Sequence, residues 1–195
     1  MKVFGKNVFN ELKENVKSIK KVYIAKNFTD KEIIKFIQDN KISYAVMDAH
    51  KMDGMVEGRH QGIIAVIDDY EYSDYKDMLN DKVVVMLDHL EDPHNFGAII
   101  RTCEAAGIKS IIIPKDRQVQ INATVMKTSV GTLDNMNMIS VTNLVNAINK
   151  LKEAGYWIVG TALENSVDYR EIDYSGKIAL VIGNEANGIN DELVS

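Results

Sequence analysis

Val83-Val84-Val85-Met86-Leu87 is followed by the polar stretch Asp88-His89-Leu90-Glu91-Asp92-Pro93-His94-Asn95-Phe96-Gly97 and then by Ala98-Ile99-Ile100-Arg101-Thr102-Cys103-Glu104-Ala105-Ala106-Gly107. The first five residues are apolar without alternation, as in a strand buried on both faces, and the last ten have helical spacing. Asn95 is placed to cap that helix and Gly107 to end it. Ile99, Cys103 and Ala106 share one helical face, and Arg101 lies roughly 200° round from Ile99. Further apolar runs at 111–113, 138–141, 157–159 and 178–182 alternate with helical patterns near 95–106, 121–130 and 142–154. Buried strands separated by helices predict an α/β domain with a doubly wound parallel sheet, because parallel neighbours need long crossovers that cover both faces.

Upstream, Phe9, Leu12 and Val16 recur at helical spacing, residues 21–25 read as a strand, and Thr29-Asp30-Lys31-Glu32 has the form of a capping box before Ile33, Ile34 and Ile37. Residues 42–47 form the next strand. After a loop with Gly54 and Gly58, the run 62–67 is too apolar for a half-exposed strand. These patterns predict a small α/β domain over 1–67, a linker over 68–81, and the parallel-sheet domain over 82–195. The linker is acidic, with six Asp or Glu against one Lys, and carries Tyr70, Tyr72 and Tyr75. The first 67 residues hold 12 basic and 8 acidic side chains, so the formal net charge of -5 hides a basic N-terminal third that admits nucleic acid without demanding it.

Several classes are excluded. Hydrophobic residues make up 46% of the 195, enough for a core, and no run reaches the ~18 apolar residues of a membrane helix. The start, Met1-Lys2-Val3-Phe4-Gly5-Lys6, lacks a hydrophobic signal core, so a cytoplasmic protein is expected. Cys103 is the lone cysteine, and His50, His60, His89 and His94 never join it at metal-ligand spacing, so no metal site is expected. Phosphate-cradle and α/β-hydrolase motifs are absent.

In an open parallel sheet, ligands sit beyond the carboxyl ends of the strands. The loop after 178–182 reads Gly183-Asn184-Glu185-Ala186-Asn187-Gly188-Ile189-Asn190. Its two glycines allow backbone to approach a flat ligand, and they serve a plain turn equally well. Arg101 likewise admits two readings, a ligand contact at the sheet edge or a surface ion pair. His89 and His94 read as exposed loop residues.

The two loops together resemble the first and second signatures of the SpoU family of RNA ribose 2′-O-methyltransferases, through Asn95-Phe96-Gly97-Ala98-Ile99-Ile100-Arg101-Thr102 and Ile182-Gly183-Asn184-Glu185-Ala186-Asn187-Gly188-Ile189. Lys127-Thr128-Ser129-Val130-Gly131-Thr132 is similar to the family's Ser-x-Gly step and Gly160-Thr161-Ala162 to its cofactor-loop strand end. Val3-Phe4-Gly5-Lys6-Asn7-Val8 and Gly58-Arg59-His60-Gln61-Gly62 resemble the RNA-recognition domain of large-subunit ribosomal RNA guanosine methylases.

The resemblance implies a SPOUT-type trefoil-knot domain behind a small RNA-binding domain, a homodimer, and methyl transfer from S-adenosylmethionine to a ribose 2′-hydroxyl of structured RNA, with ribosomal RNA favoured over transfer RNA; the alternative is a non-catalytic RNA-binding protein of the same fold. It assigns Arg101, Asn95 and Glu185 to catalysis, and Thr161, Ala162, Leu163, Gly183, Asn184 and Gly188 to the cofactor. Lys6, Arg59, His60 and Arg101 are assigned to RNA. Relatives carry a third signature that does not occur before Ser195. A C-terminally truncated or divergent domain is therefore expected, with weak cofactor binding by this stretch alone.

Overall fold

The computed structural model describes residues 1–129, 131–162, 166–190 and 193, leaving aside the side chains of 11, 14, 15, 123 and 127. The chain divides into two units, Met1–Tyr70 and Glu71–Ser195.

In the first unit, Ile63, Ile64, Ala65 and Ile67 are buried, so their strand, β4 (Ile63–Ile67), needs cover on both faces and neighbours on both sides. It lies inside a four-stranded sheet of order β1-β4-β2-β3, antiparallel to β1 (Lys2–Phe4) and to β2 (Ile19–Ala25), with β3 (Tyr44–Met47) parallel to β2 at the edge. The expected helix through Val16 is instead α1 (Lys6–Leu12) followed by a 3₁₀ turn over Lys13–Ser18. Helix α2 (Lys31–Asp39) is capped by Asp30, whose carboxylate accepts the Ile33 amide, rather than by Thr29. Phe9 and Phe36 meet edge to face with ring centres 6.1 Å apart, locking α1 to α2. A short helix, α3 (Ala49–Asp53), buries Met52 against Ala25 and Ile64.

The second unit is a five-stranded, wholly parallel sheet of order β7-β6-β5-β9-β8. Its strands are β5 (Val83–Leu87), β6 (Ser110–Pro114), β7 (Asn137–Val141), β8 (Tyr156–Gly160) and β9 (Lys177–Ile182). The crossovers carry α4 (Pro93–Ala105), α5 (Ala123–Ser129) and α6 (Leu144–Glu153). Residues from Glu71 onward pack with this unit: Tyr75–Met78 makes a 3₁₀ turn capped by Asp74, and Met78 is fully buried beside Val84, Met86 and Tyr156.

Helix α4 differs from expectation in two ways. Asp92 is the cap, accepting the His94 amide at 2.7 Å, and Pro93 occupies the first helical position. Asn95 therefore sits inside the first turn and is not the cap. The buried stripe is Phe96, Gly97, Ile100 and Cys103, with Ile99 half-buried and Ala106 exposed. Gly97 decides this rotation, since a Cβ there would lie 2.5 Å from the Thr128 Cβ, so only glycine lets α4 approach α5 this closely.

Candidate functional site

At the carboxyl ends of β5 and β9 the ladder runs on one step, with the Asp88 amide donating to the Ile182 carbonyl at 2.9 Å. That step carries the Asp88 side chain inward, where it is 2% exposed. A buried carboxylate needs donors, and among the described residues it has the Asn190 amide at 2.6 Å and the His89 ring Nδ1 at 2.5 Å. Asp88 thus joins the loop after β5 to the loop after β9. Asn184 ties them again, its Nδ2 donating to the His89 carbonyl at 2.7 Å and its Oδ1 accepting the Ala186 and Asn187 amides.

The β9 loop doubles back on itself, with Asn184 and Gly188 exchanging backbone hydrogen bonds at 2.8 and 3.0 Å. Gly183 makes this possible, because a Cβ there would lie 2.2 Å from the Gly188 carbonyl carbon. Glu185, at the tip, accepts from the Asp92 amide at 3.2 Å, the Glu91 amide at 3.4 Å and the Asn95 side-chain amide at 3.4 Å. Partial burial pushes the Glu185 carboxyl up. Hydrogen bonds from its own amide, from Asp92 and Glu91, and from Asn95 outweigh this and hold it below the ordinary glutamate value. A carboxylate at the amino terminus of α4 also opposes the positive end of that helix.

A third loop joins the group. The Leu90 amide donates to the Gln118 Oε1 at 2.6 Å and the Leu90 carbonyl accepts the Val119 amide at 2.8 Å, which clamps the loop after β6 to the loop after β5. The three loops wall a cavity of about 330 Å³ lined by Asp88, His89, Arg117, Asn184, Gly188 and Asn190, among others. Of the four described non-glycine residues with left-handed backbone, two, His89 (φ 57°) and Arg117 (φ 51°), stand in this wall. Such a conformation costs roughly 1–2 kcal/mol at a residue with a Cβ.

The structure brings together Asn95 and Glu185, and Gly183, Asn184 and Gly188. Arg101 lies on the exposed side of α4, and no described residue pairs with its guanidinium. Thr161 follows β8, its amide donating to the Val181 carbonyl at 3.1 Å, with Ala162 exposed beside it. Because β9 separates β8 from β5, these two residues stand across the β9 loop from the cavity. Leu163 lies outside the described residues. Sequence reasoning passed over Asp88, Arg117 and Gln118 and left His89 as an exposed loop residue, whereas its side chain is 24% exposed and bonded to Asp88.

In the first unit, Arg59 is exposed, while the Lys6 ammonium pairs with Asp30 at 3.2 Å and stands 5.4 Å from the centre of the Phe28 ring. His60, expected to bind RNA, lies inside the unit. It is 7% exposed, its Nδ1 accepts the Gly62 amide at 2.9 Å, and its Nε2 therefore carries the proton and donates to Asp53 at 2.9 Å. Both ring nitrogens are engaged within the unit, where they shape the loop that presents Arg59.

Residues 82–195 match the SpoU rRNA methylase family, and residues 2–73 match the substrate-binding domain of RNA 2′-O-ribose methyltransferases. A Staphylococcus saprophyticus protein assigned to the TrmH family of tRNA/rRNA methyltransferases is 45% identical over 166 residues, 82% of this chain and 67% of that protein. The structure of an AdoMet-bound rRNA methyltransferase from Sinorhizobium meliloti superposes with a TM-score of 0.72 at 24% identity, covering 99% of this chain and 74% of that one. A TrmH/SpoU tRNA-modifying enzyme from A. aeolicus superposes with a TM-score of 0.53 at 31% identity, covering 59% and 58%. The second unit thus has the SPOUT methyltransferase fold, and the chain belongs to the SpoU family of S-adenosylmethionine-dependent RNA 2′-O-methyltransferases.

Proposed function

We propose that the chain methylates a ribose 2′-hydroxyl in structured ribosomal RNA, a guanosine of the large subunit, acting as a homodimer in the cytoplasm. The observation that supports this most is the Glu185 contact with the amino terminus of α4, which sets the glycine turn and the arginine-bearing helix at one end of the sheet.

The residues fit S-adenosylmethionine. At Gly160 and Gly183 a Cβ would lie 2.8 Å from the Ile189 Cδ1 and 2.2 Å from the Gly188 carbonyl carbon, so the two glycines let the β9 loop fold tightly against the end of β8 and bring Gly183, Asn184 and Gly188 close to the strand end that leads into Thr161 and Ala162. Thr161, Ala162, Gly183, Asn184 and Gly188 would hold it. The cofactor supplies an electrophilic methyl on a sulfonium with its own leaving group, so the protein's task is orientation and management of the hydroxyl proton. The Arg101 guanidinium, a planar cation with a fork of N–H donors and no acceptor, is suited to orient the phosphate beside the target ribose and to stabilise developing negative charge. Asn95 and Glu185 fix the start of α4 and through it the direction of Arg101. Lys6 and Arg59 contact RNA backbone in the first unit.

The test is transfer of labelled methyl to ribosomal and to transfer RNA. Arg101→Ala is expected to slow transfer on the order of 100-fold, as loss of one charge-stabilising donor does, with cofactor binding by calorimetry unchanged. Undiminished transfer by that variant would overturn the assignment of Arg101. Transfer to tRNA alone would overturn the ribosomal substrate, and RNA binding without cofactor binding would make the chain a non-catalytic RNA binder.

A further inference from the structure

We infer that Arg117 is a second contact for substrate RNA, taking a backbone phosphate. This rests on the proposed function and extends its site to the loop after β6. Three observations carry it.

The first is placement: Arg117 is exposed at the mouth of the 330 Å³ cavity and also borders the adjoining 120 Å³ hollow with Pro114, Thr142 and Asn143. The second is charge. Asp88, Glu91 and Asp116 border the same two spaces, yet no described residue hydrogen-bonds or ion-pairs with the Arg117 guanidinium. Asp88, the buried one, is already engaged by His89 and Asn190, and Glu91 and Asp116 are exposed. A guanidinium that no described residue holds keeps its fork of donors available, and that fork matches a phosphate in two-point contact.

The third is how the residue is held. Its left-handed backbone is imposed by Gln118, 8% exposed, whose side chain accepts the Leu90 amide, and by Val119, whose amide donates to the Leu90 carbonyl. A strained residue persists only where its surroundings over-determine it, and here the surroundings are the loop that carries Asp88 and His89. The clamp thereby couples the position of Arg117 to the loop that leads into α4 and Arg101. An RNA strand crossing the carboxyl ends of β6 and β5 would meet Arg117.

The experiment measures RNA affinity of the full chain between 50 and 200 mM salt, with a ribosomal RNA fragment as probe, for wild type, Arg117→Ala, Arg117→Lys and Arg117→Gly. Losing one phosphate contact is expected to reduce the slope of log affinity against log salt by about 0.7–0.9. The Ala variant should raise KM for RNA by about tenfold with kcat and cofactor binding unchanged, as one phosphate contact acts uniformly on binding. Lys should restore most of the slope. Gly, which adopts the left-handed backbone freely, should melt no lower than wild type and still show the reduced slope, so a folding defect is separated from loss of the cation. An unchanged slope in both Ala and Gly overturns the inference, as does loss of cofactor binding in either. If wild type binds RNA and the slope falls as stated while no RNA is methylated, the phosphate contact stands and the proposed function falls.

Discussion

Gly183 has backbone in front of it rather than a movable side chain: Gly188 and Ile189 atoms lie 2.2–2.6 Å from where a Cβ would be. Gly183→Ala therefore has to push the β9 loop open, at a cost of ~1–3 kcal/mol, and should melt several degrees lower with cofactor binding weakened in parallel. Glu185 responds to pH. Its folded carboxyl titrates below the ordinary value of 4.5, so the stability it contributes is present above that value and is lost as pH falls through the lower folded value. The melting difference between wild type and Glu185→Gln should shrink as pH is lowered from 6 to 3; a gap that widens would contradict the hydrogen-bond pattern at the α4 terminus. Cys103, 5% exposed, has its thiol pushed up to about 11 by burial. At pH 8 a thiol reagent should modify it only after denaturant is added.

Helix α4 connects the packing to the site. Asp92 caps it and Gly97 seats it on α5, so Asp92→Ala should cost about 1 kcal/mol in stability, and Gly97→Val should cost more while also slowing methyl transfer, both read by melting and a transfer assay. Each strand of the parallel sheet was legible to within one or two residues, because strands buried on both faces are unbroken apolar runs. Strand β1, three residues long, leaves no periodicity to detect, and the 3₁₀ turn after α1 shares its spacing with a helix over so short a stretch. The face of α4 was misread by one position because Ile99 and Ile100 are chemically equivalent on paper, and only the contact of Gly97 with Thr128 selects between them. Gln118 and Arg117 look like ordinary loop residues, since the clamp that distinguishes them is a pairing with Leu90, 28 residues away. The glycine turn and the arginine helix were readable as a pair, whereas the carboxylate that joins their loops, Asp88, gave no local signal.

Each unit has its own sheet and core, so damage should stay where it is made. Ile64, fully buried in the first unit, is a direct test. Ile64→Ala should cost about 2–5 kcal/mol there and reduce RNA affinity, leaving cofactor binding by calorimetry intact. In the second unit the strand order places β9 between β5 and β8, so among the described residues β8 pairs with β9 alone. During synthesis β5, β6 and β7 leave the exit tunnel first and can assemble in register. Strand β8, with Trp157 exposed on it, emerges next and must wait, unpaired, for β9 to slot in beside it. The nascent domain therefore passes through an interval with two open sheet margins, a period in which a chaperone has something to hold and aggregation has something to seed.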